Sequence, residues 1–152
     1  MSESLQDRYA PDNRCFGCGP ANEQGLRIKS RVEGDEVVAD FTPEDHHQAY
    51  AGMLNGGIIG ALLDCHSNWA AAHALMRERS LDKPPCTVTA EFLVKLRAPT
   101  PIAPLRLRAR PSSIDGDKVV VDATLEAGGK ITATCRGVFV SVREGHPAYH
   151  RW

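Results

Sequence analysis

One acidic residue stands in surroundings that give a carboxylate reason to be reactive. Asp64 is flanked by Ile58, Ile59, Leu62, Leu63, Trp69 and Ala70. An ionised carboxylate placed there needs hydrogen bonds, or its pKa rises. Taken alone, Asp64 reads equally as a structural acceptor in a small polar gap or as the wet edge of a helix. Its neighbourhood changes the balance. Eight residues earlier comes Gly56, within Asn55-Gly56-Gly57. Asparagine caps helices well, and paired glycines let another group approach the backbone closely. The first turn of a helix carries free N–H groups and the positive end of the helix dipole. A substrate lying along the helix start would set a polarised oxygen on the Gly56 amide and its reactive carbon towards Asp64. That is an oxyanion hole combined with a base or nucleophile.

The remaining candidate groups carry less. Cys15 and Cys18 form a CxxC within CFGCGP, but a structural zinc site normally needs four ligands. The second half is missing unless His46-His47 or the C-terminal histidines complete it in space. The expectation is a glycine-rich turn with small half-buried thiols and no metal. Arg97, Arg106, Arg108 and Arg110 are available to meet phosphates, although arginines alternating along a strand usually mark a solvated outer face. No GxSxG, Walker or dinucleotide-binding motif occurs.

The elements that must position these groups follow from periodicity. The segment from Met53 to about Arg79 is a helix apolar nearly all round until Met76, and such a helix is buried on most faces. Alternation predicts a hairpin of Leu26–Val32 with Glu36–Phe41 before it. After Pro84-Pro85, strands are predicted at Cys86–Leu96, Leu105–Ile114, Lys118–Ala127 and Lys130–Val142, as a four-strand meander with turns at Asp115-Gly116 and Gly128-Gly129. This order makes an α+β domain with one antiparallel sheet. The sheet must curl around the helix, or a second subunit must cover it. The expected layout is an N-terminal extension with the CxxC turn over 1–25, one domain over 26–145 and a tail over 146–152 that packs back on the body.

At 152 residues, with 42% apolar and 24% charged residues, the chain is an ordinary globular domain. A formal net charge of -1 removes bulk electrostatics as a reason to expect nucleic-acid binding. No apolar run is long enough to span a membrane. The polar N-terminus and five unpaired-looking cysteines suit a reduced, cytoplasmic setting.

The stretch HHQAYAGMLNGGIIGALLDCHSNWAA, with CFGCGPANEQGLRI before it and TVTAEFLVKLRAPTPI after it, resembles the hotdog-fold acyl-CoA thioesterases of the phenylacetic-acid-degradation type over roughly residues 14 to 142. The resemblance implies a hotdog fold, a long central helix wrapped by a curved antiparallel sheet, assembled as a homodimer or homotetramer. It implies hydrolysis of an acyl-CoA thioester with no cofactor, coenzyme A being part of the substrate. Asp64 then matches the catalytic carboxylate, Gly56 the oxyanion-hole glycine, and Thr89 a hydroxyl that orients the water or the carboxylate from the facing subunit. Two departures stand out. Asn55 occupies the place of the usual histidine, and Ala49 that of a polar residue some relatives carry, so His47 or Gln48, with Gly57, is left to contact substrate. The same fold also holds acyl-CoA without cleaving it, and a non-catalytic acyl-CoA-binding module is the alternative. Hydratase chemistry would pair Asp64 with His66, which a helix places on different faces.

Overall fold

The computed structural model describes residues 3–152, so residues 1 and 2 of the expected N-terminal extension lie outside the described residues. In chain order the elements are α1 (Leu5–Tyr9), β1 (Arg31–Glu33), β2 (Glu36–Phe41), a 3-10 turn at Asp45–His47, β3 (Gln48–Tyr50), β4 (Met53–Leu54), α2 (Gly56–Glu78), β5 (Thr87–Leu96), β6 (Leu105–Asp115), β7 (Lys118–Ala127) and β8 (Lys130–Ser141). Six strands make one antiparallel sheet in the order β1-β2-β6-β7-β8-β5. The long helix lies across it.

Local turn chemistry sets the hairpins. Two-residue turns close β1–β2 at Gly34-Asp35, β6–β7 at Gly116-Asp117 and β7–β8 at Gly128-Gly129. All four glycines have positive φ, which a side chain would disfavour. The meander expected for the last four strands is not formed in that order. β5 pairs with β8, while β6 pairs with β2. The segment from 97 to 104, with Pro99, Pro101 and Pro104, offers no tight turn and instead carries the chain across to the far side of the helix. Only Arg31 and Val32 of the first expected strand pair, within β1; residues 26 to 30 run as irregular chain.

Helix α2 is buried all round through its middle: seven consecutive residues, His66 to Ala72, are buried. Trp69, Leu62, Leu63 and Leu75 face the core with Phe139, Leu107, Leu125, Val119 and Val121 from the sheet. The back of the helix, which a curled sheet or a second subunit was expected to cover, is covered by the chain's own ends. Leu5 and Gln6 of α1 are buried, and Gln6 exchanges hydrogen bonds with Ser30, Nε2 to Oγ at 2.9 Å and Ser30 N–H to Oε1 at 2.8 Å. Ser30 Oγ meets His66 Nδ1 at 2.8 Å, and His66 Nε2 lies 2.8 Å from the Val37 carbonyl. That carbonyl can only accept, so Nε2 carries a proton; burial keeps the ring neutral, and Nδ1 therefore accepts from Ser30 Oγ. Burial holds His66 down to a pKa of about 4. At the other end, Trp152 stacks on Trp69 with ring centroids 4.5 Å apart and donates to the Pro84 carbonyl at 3.1 Å. The tail does pack back on the body, as its aromatic composition predicts.

Candidate active site

Asp64 sits on the stripe of α2 that faces β5. Residues at four-residue spacing on the helix, Gly56, Gly60, Asp64 and Asn68, meet Leu96, Phe92, Thr89 and Thr87 in turn along the strand. Glycine at 56 and 60 leaves room there: a Cβ on Gly56 would lie 3.2 Å from Leu96 Cδ1, and one on Gly60 would lie 3.9 Å from the Phe92 ring. A bulge in the β5–β8 pairing between Thr89 and Glu91 shifts the strand's parity. Thr87 and Thr89 therefore point at the helix before the bulge, and Phe92 and Leu96 after it. Without that extra residue, Thr89 and Phe92 could not share one face.

The carboxylate is half-buried, and Thr89 Oγ1 donates to its Oδ1 at 2.6 Å. Burial pushes the Asp64 carboxyl above the ordinary carboxylate range. The Thr89 hydroxyl opposes that rise, Cys15 adds to it, and the positive charge of Arg151 works against it. Arg151 is brought close by its own bond to the Thr87 carbonyl, 2.9 Å. A threonine hydroxyl was expected here from a facing subunit; the Thr89 that reaches Asp64 belongs to the same chain. The reason is the crossing of α2 over β5, which brings residue 64 and residue 89 together within one fold. Sequence reasoning missed Arg151, for which the only signal was a basic residue in an aromatic tail.

Asn55 is the N-cap of α2, its Oδ1 accepting from the amides of Gly57 at 2.7 Å and Ile58 at 3.2 Å. Those two donors are thereby spent. The Gly56 N–H pairs with no group among the described residues and lies beside a groove of about 350 Å³ lined by Tyr50, Met53, Leu96, Arg97 and Pro99. His47 holds the cap from behind. Its carbonyl accepts from Asn55 N–H at 2.9 Å, and its Nδ1 accepts from Glu44 N–H at 3.0 Å. Gln48 closes the β3–β4 turn, accepting from Gly52 N–H at 2.9 Å and donating to the Asp45 carbonyl at 2.8 Å. His47 Nδ1, the Gln48 amide group and the Gly57 N–H are thus engaged in shaping the β3–β4 turn and the helix start.

Gly56 and Asp64 do not converge within one chain. Eight residues of α-helix separate them by about 12 Å, whereas a carbonyl carbon and its oxygen must meet base and donor within hydrogen-bond reach. The expectation that one chain presents both to one substrate is therefore corrected by helix geometry. His66 faces away from Asp64 into the Ser30–Val37 bonds, so no Asp–His pair forms. On the outer face of the sheet Arg106 pairs with Asp40 and Glu33, Arg108 with Glu36 and Glu126, and Arg110 with Asp35 and Glu36. Arg97, beside the Gly56 groove, forms no ion pair among the described residues.

One long helix packed on a multi-stranded antiparallel sheet is the architecture of the hotdog fold, and solved structures agree on it. A thioesterase superfamily protein from Shewanella loihica is 31% identical, with 82% of this chain and 98% of that one covered and a TM-score of 0.67. A putative thioesterase related to phenylacetic acid degradation, from Ralstonia eutropha, is 21% identical over 76% of this chain and 85% of its own, TM-score 0.64. A protein of Streptococcus mutans solved with acetyl-CoA bound is 17% identical over 76% and 88%, TM-score 0.63. The chain belongs to the hotdog-fold thioesterase superfamily, and its fold is PaaI-like. No family model and no curated protein matches it. Among the described residues no helix is long and apolar enough to cross a membrane.

Proposed function

We propose that this protein hydrolyses acyl-CoA thioesters, with Asp64 as general base or nucleophile and the Gly56 N–H as the oxyanion donor. The observation that carries the reading is the 2.6 Å bond from Thr89 to a carboxylate whose pKa burial has raised. A carboxylate in that state is a stronger base than one in water and is still oriented. Acting as a base, Asp64 takes a proton from water while the water oxygen attacks the thioester carbon. The carbonyl oxygen becomes the oxyanion and accepts from the Gly56 amide, a donor worth about 3–4 kcal/mol in such sites. Collapse of the tetrahedral species expels the coenzyme A thiolate, which is protonated from Asp64 or solvent.

Because the two groups lie about 12 Å apart in one chain, the reading requires a second copy. The edge strand β5 supports a homodimer: Phe92, Leu93 and Leu96 are 43%, 60% and 58% exposed along it, an apolar edge that soluble proteins normally cover. Antiparallel pairing of β5 with its copy, centred between Phe92 and Leu93, sets Leu96 of one protomer opposite Thr89 of the other. The Gly56 turn beside Leu96 then approaches the Asp64 beside Thr89, twice over. Of Arg97, Arg106, Arg108 and Arg110, it is Arg97, lining the groove and without an ion pair among the described residues, that is placed to meet a coenzyme A phosphate.

The test is a panel of aliphatic and aromatic acyl-CoAs followed by loss of thioester absorbance, with Asp64→Asn alongside. A positioned base contributes about 10²–10⁴-fold, and a drop of that size in Asp64→Asn is expected. Stoichiometric acyl-CoA binding without turnover, unchanged by Asp64→Asn, would instead establish the binding module.

A further inference from the structure

The N-terminal turn gathers three sulfurs that thioester hydrolysis does not use. Cys15 and Cys18 come from the CxxC turn, and Cys65 comes from α2, one residue beyond Asp64. Their Sγ atoms all lie within 4.8 Å of one another, and Cys15 Sγ is 3.8 Å from Cys65 Sγ. We propose that Cys15, Cys18 and Cys65 bind one thiophilic cation, Zn²⁺ in the first instance, as a clip between the N-terminal segment and α2. The inference is independent of the hydrolytic reading.

The spacing is that of ligands sharing a metal. Tetrahedral zinc with Zn–S of about 2.3 Å sets its sulfurs about 3.8 Å apart, which matches the Cys15–Cys65 separation. A disulfide would need about 2.05 Å. The turn is built to bring the sulfurs in. Cys15 N–H donates to Asn13 Oδ1 at 2.7 Å, and Gly19 N–H donates to the Cys15 carbonyl at 2.8 Å. A Cβ on Gly17 would run into Cys65 Sγ, so only glycine lets the turn close over the helix. Three packed thiols by themselves would be small apolar filler. Here, however, the three converge from two separate segments of the chain, and the Trp69 indole N–H donates to Cys18 Sγ at 3.4 Å. A donor to sulfur is the kind of outer contact that supports a metal-bound cysteine. Soft sulfur ligands select Zn²⁺ or Cu⁺ over Mg²⁺ and Ca²⁺. Among the described residues no fourth His, Cys, Asp or Glu joins the group, which leaves the fourth position to water or a small solute ligand. The ligand that completes the CxxC is thus neither the His46-His47 pair nor a tail histidine but a helix cysteine 47 residues on from Cys18.

The test uses the full chain, reduced and freed of metal under anaerobic conditions, titrated with Co²⁺. One equivalent per chain with a thiolate-to-cobalt charge-transfer band, displaced by one equivalent of Zn²⁺, is expected. Cys15→Ser and Cys65→Ser should weaken uptake at least 10-fold, and Cys86→Ser should not. No band with the thiols counted as reduced, or a full band in Cys65→Ser, would overturn the assignment. So would a Cys15–Cys65 disulfide in the purified protein with no metal uptake after reduction. If a serine variant fails to fold, peptide mapping after alkylation of the wild-type chain decides the question. Zn²⁺ must then slow modification of Cys15 several-fold, and an unchanged rate refutes the site.

Discussion

Replacing Thr89 by valine removes one hydroxyl, keeps the β-branched shape on β5, and leaves Asp64 half-buried without its donor. The bond lost is short, 2.6 Å, and made to a group that is charged when it acts as a base. Hydrogen bonds to charged groups contribute about 1.5–3 kcal/mol, and each 1.4 kcal/mol is about tenfold. If the bond is fully expressed in the transition state, kcat/KM falls about 10- to 150-fold. The same substitution has a second, separable consequence. Burial raises the Asp64 pKa and the Thr89 hydroxyl holds it back; with the hydroxyl gone the pKa rises further. Activity that needs the carboxylate ionised is present above that pKa and lost below it, so the acid limb of the rate profile moves to higher pH. Thr89→Ser keeps the donor and should keep both rate and limb within a few-fold. Combining Thr89→Val with Asp64→Asn should cost no more than Asp64→Asn alone, because the hydroxyl acts through the carboxylate. Thioester absorbance is the right readout, since any accessible thiol among the chain's five cysteines would react with a thiol reagent. Wild-type kcat/KM and an unmoved acid limb in Thr89→Val, with the fold intact, would refute the role of this pair.

Asn55→Ala removes the acceptor of two helix amides, so a stability loss of about 1 kcal/mol is expected, read as a fall in Tm of about 2–4 °C. His66 is neutral and buried with a pKa held down to about 4, below the unfolded value of about 6.5. The unfolded chain therefore takes up a proton that the folded one refuses. Stability should be complete above about pH 6.5 and decline by up to about 3 kcal/mol as pH falls towards 4. Urea unfolding at pH 7 and pH 5 measures this, and equal midpoints would contradict it. Leu93→Lys places a charge on the exposed β5 edge: sedimentation should show dimer converting to monomer, with hydrolysis lost alongside, whereas an unchanged sedimentation coefficient would remove β5 as the interface.

Much of the fold is legible because its signals are short-range. Strand β7 occupies the predicted residues Lys118–Ala127, and the glycine turns flanking it sit where positive φ is required. Helix α2 begins after Asn55 because that side chain accepts from the amides two and three residues on. Asp64 is conspicuous because a carboxylate among aliphatic residues breaks the pattern around it. Each of these features is decided by groups a few residues apart. The features that only the folded chain decides depend on residues far apart in sequence. Strand β5 passes its neighbour in sequence to pair with β8, a choice made by the helix it must run along. The bulge after Thr89 aims that hydroxyl at Asp64, 25 residues away. The back of the helix is closed by α1 and Ser30, in a segment whose polar composition gives no sign of it, and by Trp152 of the aromatic tail. Cys65 joins Cys15 across 50 residues. No local preference encodes such meetings: they follow from the burial of a helix that is apolar on every side and must recruit cover from whichever parts of the chain can reach it.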